Sequence, residues 1–460
     1  MRPTIWQAAA LLYLILPLAI FLLFFSNYLM AAAGLAFIGW ALRRLLCDGV
    51  EQPLLSRPVI GCLFLLAFII VGASGMLPPL WQSSDYEKHY VILHLLIDNP
   101  WPVVIDFGQG PEMLRYYLGW YLAPAGICKL FGPRAIDYVM TTWSALGLWL
   151  VFLLLAEALK AKSGFKKQWL AIPIALMFMF FSGADQLGTA LTGKSMGPPN
   201  HFEWWATFYV FPSTMTSLVW APQHGLATWI AAGLLLNAGS LARIIRHAGL
   251  FFFAVFFWSP FCAIGVVPFI LITAGAKSFR RLFSISNVLS VATLAPPLLG
   301  YLLADAQAIP HDWIFNVPDW TMQNLIGFWL LEFGIFALLV MAIGTERRAM
   351  FGTAVLVLLI APIARIGSAN DFAMRVPAVA MAILAFVVIE IIMTRPWRTT
   401  FPLILVFMLG LGTPYAEISR CFRFATNQFR ANTPEHLMKM DASNVIRAQY
   451  LAAYPNRFVR

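Results

Sequence analysis

The stretch "IWQAAALLYLILPLAIFLLFF", Ile5 to Phe25, decides the fold. It carries no charged residue, and about 20 residues of this kind cross a hydrocarbon core. As a signal peptide it would be removed and leave a secreted protein. As a span it would anchor a polytopic one. Only Arg2 stands before it, and it exceeds the 7–15 residues of a signal h-region. "MAAAG", Met30 to Gly34, resembles a cleavage site, but a second apolar run begins there at once. Residues 5–46 therefore predict a helical hairpin in the membrane.

The rest of the chain repeats the pattern. Of 460 residues, 60% are hydrophobic and 11% charged, against about 25% charged in soluble domains. Mean hydropathy is +0.76. Apolar runs occupy 5–25, 29–46, 58–77, 137–159, 168–182, 217–241, 249–260, 262–276, 284–303, 321–343, 349–364, 374–394 and 400–415. The expected fold is all-α, a polytopic membrane protein of about thirteen transmembrane helices. Ser259-Pro260 interrupts 249–276, which is either one kinked helix or a tight hairpin, since proline removes a helical hydrogen bond.

Positive charge orients the bundle, because Lys and Arg in short loops prefer the cytoplasm. The clusters Arg43-Arg44 with Arg57, Lys160 to Lys167, Arg243 with Arg246, Lys277 to Arg281, Arg347-Arg348, and Arg395 with Arg398 fall on one side. That holds if 249–276 is a hairpin and 112–132 does not cross. The N-terminus is then cytoplasmic, residues 1–415 form one transmembrane domain, and 416–460 form a short outer tail. Segment 112–132, with Tyr116, Tyr117, Trp120 and Tyr121, suits an interfacial helix in a large outer loop. The net charge of +10 is thus topological, and no nucleic-acid partner is expected. Five scattered cysteines form neither a metal motif nor a disulfide framework.

The outer loops, 78–136, 183–216, 304–320 and 365–373, are longer than the short, basic inner ones and hold Asp85, Glu87, Lys88, His89, Glu112, Arg115, Asp185, His201, Glu203, Asp305, His311, Asp312, Asp319 and Asp371. The first opens with "SSDYEKHY": Asp85, Glu87, Lys88 and His89 in five residues. A carboxylate at a helix end outside the membrane can serve as a general base or hold a divalent cation, Mg or Mn, through Asp85 and Glu87. Nearby cations can hold a phosphate. "NDFAMR" places Asn370, Asp371 and Arg375 at the start of a spanning run, where a guanidinium can grip a lipid-linked phosphate. Gln223 and His224 follow Pro222 at the outer end of another run. His201 and Glu203 lie in a Trp-rich loop, and Glu332 stands inside an apolar run, where a carboxylate is costly and functional or paired.

Together these features resemble the GT-C superfamily, integral-membrane glycosyltransferases that use polyprenyl-phosphate sugar donors, and within it the bacterial protein-mannosyltransferase-like branch. The resemblance rests on Asp85 with Glu87 after an early span, "RYYLGWYLAPAGICKLFG" (Arg115, Tyr116 and on to Gly132), "PQH" at 222–224, "SPF" at 259–261 and "NDFAMR" at 370–375, and covers residues 58–395. It departs in two extra runs before Asp85 and in D-x-E for D-x-D. It implies transfer of a sugar to an envelope lipid, polysaccharide or protein at the periplasmic face of a bacterial inner membrane. Asp85 would be the base, Glu87 a helper or metal ligand, and Lys88, His89 and Arg375 the phosphate ligands, with inversion at the anomeric carbon. The alternatives are a lipid-linked oligosaccharide ligase and a polytopic transporter or flippase.

Overall fold

A computed structural model of the protein describes residues 3–47, 49–51, 55–106, 110–163, 168–194, 201–237, 244–305, 309–318, 320–367, 370–424 and 449–460. Lys166, Lys167, Arg243, Asp319 and tail residues 425–448 lie outside it, as do the side chains of Lys160, Lys162 and Lys277. The chain is 76% helical. Helices satisfy their own backbone groups, which hydrocarbon cannot do.

Among the described residues, eight helices are long and apolar enough to cross a membrane: Ile5–Phe24, Tyr28–Leu46, Arg57–Met76, Pro133–Leu159, Ile285–Leu302, Met322–Ile343, Asp371–Thr394 and Trp397–Arg423. The other expected runs form shorter helices. Run 217–241 breaks at Ala221, because Pro222 starts a new helix, Pro222–Leu236. Run 249–276 becomes Ala248–Trp258 and Pro260–Gly275, the latter ended by the non-helical Gly275. The first has 11 residues, a rise of ~16 Å, about half the hydrocarbon thickness. These two form a hairpin. Ile245 and Arg246 meet Ser284 and Asn287 at one end, whereas Ser259, at the turn, meets His224 at the other. Residues 112–132 form strand, irregular backbone and the helix Leu122–Phe131, not one long helix.

Every residue of Pro222–Leu236 is buried, as is each from Val379 to Ile391. These helices pack on each other, and the first also packs against Ile136–Ser163. The peripheral helices expose Leu12, Leu16, Leu65, Ile69, Val288 and Val291, side chains as apolar as lipid tails.

The two ends of the bundle differ chemically. At the basic end Arg347 is not a free topological charge. Its Nε donates to both Glu390 oxygens (3.1 and 3.0 Å), and its two Nη groups donate to Leu236 O (2.8 Å) and Ala158 O (3.0 Å). One guanidinium thus closes the ends of three helices. Arg347→Ala leaves a buried carboxylate unpaired, and a loss of about 3–5 kcal/mol is expected, read as a lower melting temperature in detergent. An unchanged melting temperature would remove the clamp.

The other end carries two small antiparallel sheets. In the first, β1 (Val104–Asp106) and β5 (Leu451–Ala453) flank β2 (Pro111–Leu114); in the second, β3 (His311–Trp313) pairs β4 (Ala364–Ile366). Residues 449–460 are therefore docked, where a tail was expected. Arg460 Nε donates to Ser26 O (2.9 Å), and its guanidinium lies 4.1 Å from the Tyr28 ring centre. The edge of β2 that faces away from β1 gives this segment a template.

Candidate functional site

The site builds from the start of helix Asp85–Asp98. Gly75 positions it: φ is +94°, and the Trp81 carbonyl fills the space where a Cβ would stand, so only glycine lets the chain turn there. The acidic first turn suits the positive end of the helix dipole. Asp85 and Lys88, one turn apart, share a face and form an ion pair (2.9 Å) that is about 30% exposed on the Asp85 side. Glu87 leaves the helix about 200° round from Asp85, so the two carboxylates do not converge on one ion. Among the described residues no group of three His, Cys, Asp or Glu is arranged to hold a metal.

Burial alone would raise the Asp85 carboxyl. Lys88 above all, and then Arg375, outweigh it and hold the group below its ordinary 3.8. Asp85 is thus ionised at neutral pH. A carboxyl lowered by folding stabilises the fold above its unfolded pKa, and that contribution is lost as pH falls through the folded value. Lys88→Met removes the largest opposing influence, so the loss on acidification is expected at higher pH than in the wild type. Melting temperature against pH checks this; coincident curves would show that Lys88 does not set the Asp85 charge.

His89 departs from expectation. It is wholly buried. Its Nε2–H donates to Trp220 O (3.3 Å), which leaves Nδ1 to accept from the Tyr121 hydroxyl (2.7 Å). Burial, then Lys88, push its pKa down to about 3. His89 is neutral and fully engaged, so it offers a phosphate no charge.

Arg375 reaches this group from a distant part of the sequence. Asn370, in the left-handed region at φ +57°, turns the chain into the helix Asp371–Arg375, and its Nδ2 donates to Phe208 O (2.9 Å). Arg375 lowers Asp85 electrostatically, yet among the described residues its guanidinium has neither ion pair nor hydrogen bond. His224 accompanies it: Nδ1 meets Ser259 Oγ (2.7 Å) and Nε2 meets the Tyr117 hydroxyl (3.2 Å). The Tyr116 hydroxyl donates to that of Tyr117 (2.5 Å). Burial pushes the Tyr116, Tyr117 and Tyr121 phenols up, so they stay protonated. Gln223 is wholly buried, and neither amide atom has a partner among the described residues.

Asp85, Lys88, His224, Asp371 and Arg375 thus form one electrostatic neighbourhood. Arg115 is buried and donates from Nη1 to Leu302 O (2.7 Å). His201 and Glu332 do not join the neighbourhood. His201 pairs with Glu417 (2.9 Å), which also accepts from Trp220 Nε1 (2.8 Å) and Arg420 (3.1 Å). Glu332 accepts from Trp205 Nε1 (3.2 Å) in a buried acidic group with Asp185 and Glu203. Glu203 Oε1 accepts from Ser213 N (2.7 Å) and Thr216 Oγ1 (2.6 Å). Trp220 touches both groups, through its carbonyl to His89 and its indole to Glu417. Sequence reasoning missed Glu417 and Tyr450, which stand in no motif, and read Tyr117 and Tyr121 only as interface aromatics.

No family model matches the chain, and neither a curated protein nor a solved structure matches it.

Proposed function

We propose that the protein is an integral-membrane glycosyltransferase that moves a sugar from a polyprenyl-phosphate donor to an envelope lipid, polysaccharide or protein. The proposed setting is the periplasmic face of a bacterial inner membrane, with the N-terminus cytoplasmic. The observation that carries the proposal is Arg375: a guanidinium without a partner among the described residues, beside an ionised carboxylate and its lysine. An unpaired guanidinium next to a second cation suits a phosphate, whose oxygens accept charge-assisted hydrogen bonds. In the proposed step, the acceptor oxygen attacks the anomeric carbon as its proton passes to Asp85. The bond to the donor phosphate breaks, and its electron pair stays on the phosphate, held by Arg375 and Lys88. One displacement inverts the anomeric centre. No step is routed through a metal, because Asp85 and Glu87 diverge.

The test uses purified protein in proteoliposomes with polyprenyl-phosphate sugars labelled in the sugar, and compares surface glycans of a deletion strain with its complemented parent. Release of polyprenyl phosphate and a missing glycan are expected. Unchanged glycans together with an uncleaved donor would sink the proposal. Glu332, buried inside the apolar helix Met322–Ile343, favours a second reading, proton-coupled transport, because intramembrane carboxylates mark proton paths. Lipid or solute uptake without donor cleavage would support it.

A further inference from the structure

Strand β5 brings one residue to the candidate site. The Arg115 N–H donates to Tyr450 O (2.7 Å), Leu451 pairs with Leu114, and the Ala453 N–H donates to Asp305 Oδ2 (2.8 Å). These ties hold the Tyr450 ring 5.2 Å from that of Tyr116, which lies 3.8 Å from that of Tyr117. The three rings make an aromatic wall. Tyr450 is half-buried, and its hydroxyl has no hydrogen bond among the described residues. Burial raises its phenol, and Asp85 and Asp371 raise it further. The phenol is thus a protonated donor that feels two carboxylates and bonds neither.

A second anion does not suit a protonated phenol that stands in the field of two carboxylates. A polyol does. Its hydroxyls donate to a carboxylate and accept from a phenol, and the C–H face of its ring lies on aromatic carbon. We propose that Tyr450 reads the hydroxyls of the donor's sugar ring, making the docked C-terminal segment a specificity element of the site. The proposal rests on the glycosyltransferase reading above.

The experiment measures equilibrium binding to the full-length protein in nanodiscs. The probes are undecaprenyl phosphate and the same lipid carrying a hexose or a pentose. Wild type is expected to bind a glycosylated lipid more tightly than the bare one. Tyr450→Phe keeps the ring and the fold, and is expected to lose about three- to tenfold of that preference with bare-lipid binding unchanged. Tyr450→Ala is expected to lose at least as much. A preference fully retained in Tyr450→Phe, or no preference in the wild type, overturns the role of Tyr450 and leaves the phosphate site standing. A wild type that binds none of the lipids removes both proposals.

Discussion

Asp85→Asn is expected to lower sugar transfer by about 10²–10⁴-fold, the range for losing a general base, while the protein still folds and inserts. Asparagine keeps the shape and removes the charge that takes the acceptor proton. The fold should tolerate it, because the Asp85–Lys88 pair is partly exposed and such pairs contribute at most about 1 kcal/mol. The carboxyl lies below its ordinary value, so Asp85 is a weak base that is always ready. Its proton transfer should come late, once attack has made the acceptor hydroxyl acidic. Transfer rates of the purified variant, normalised to folded protein, check this. Normal turnover would remove Asp85 from the chemistry.

Arg375→Ala is expected to cost about 10²–10³-fold in transfer, the usual effect of removing a preorganised donor at developing negative charge. Binding of bare polyprenyl phosphate should weaken as well. Arg375→Lys should recover only part of this, because an ammonium lacks the planar fork that meets two phosphate oxygens. Unchanged donor affinity in Arg375→Ala would end the phosphate role. The contrast with Arg347 sharpens the test. Arg347 is fully paired and closes three helix ends, so its loss should be seen in stability. Among the described residues Arg375 has no partner to abandon, so its loss should be seen in ligand handling.

Much of the candidate site was legible in the sequence. In an apolar chain, ionisable residues at the same ends of several runs stand out, and Asp85, Lys88, His224, Asp371 and Arg375 do so. What the sequence hid were partners. His89 looked like a cation because its neighbours are charged, but Tyr121 and the Trp220 carbonyl take both ring nitrogens. Glu332 and His201 stood in the sequence as separate candidates, and Trp205 and Glu417 hold them in a second group. Tyr450 carried no signal at all, since only pairing of β5 with β2 brings it to Tyr116.

The sequence by itself determined a nearly all-α chain with membrane-spanning helices. Hydropathy and helix length are local and add along the chain, so each run could be read without knowing its neighbours. The tertiary structure decided which charges are compensated. Arg347 and Arg375 are the same residue type beside similar apolar runs. Only the packing of distant helices buries one against Glu390 and leaves the other, among the described residues, without a partner in the neighbourhood of Asp85.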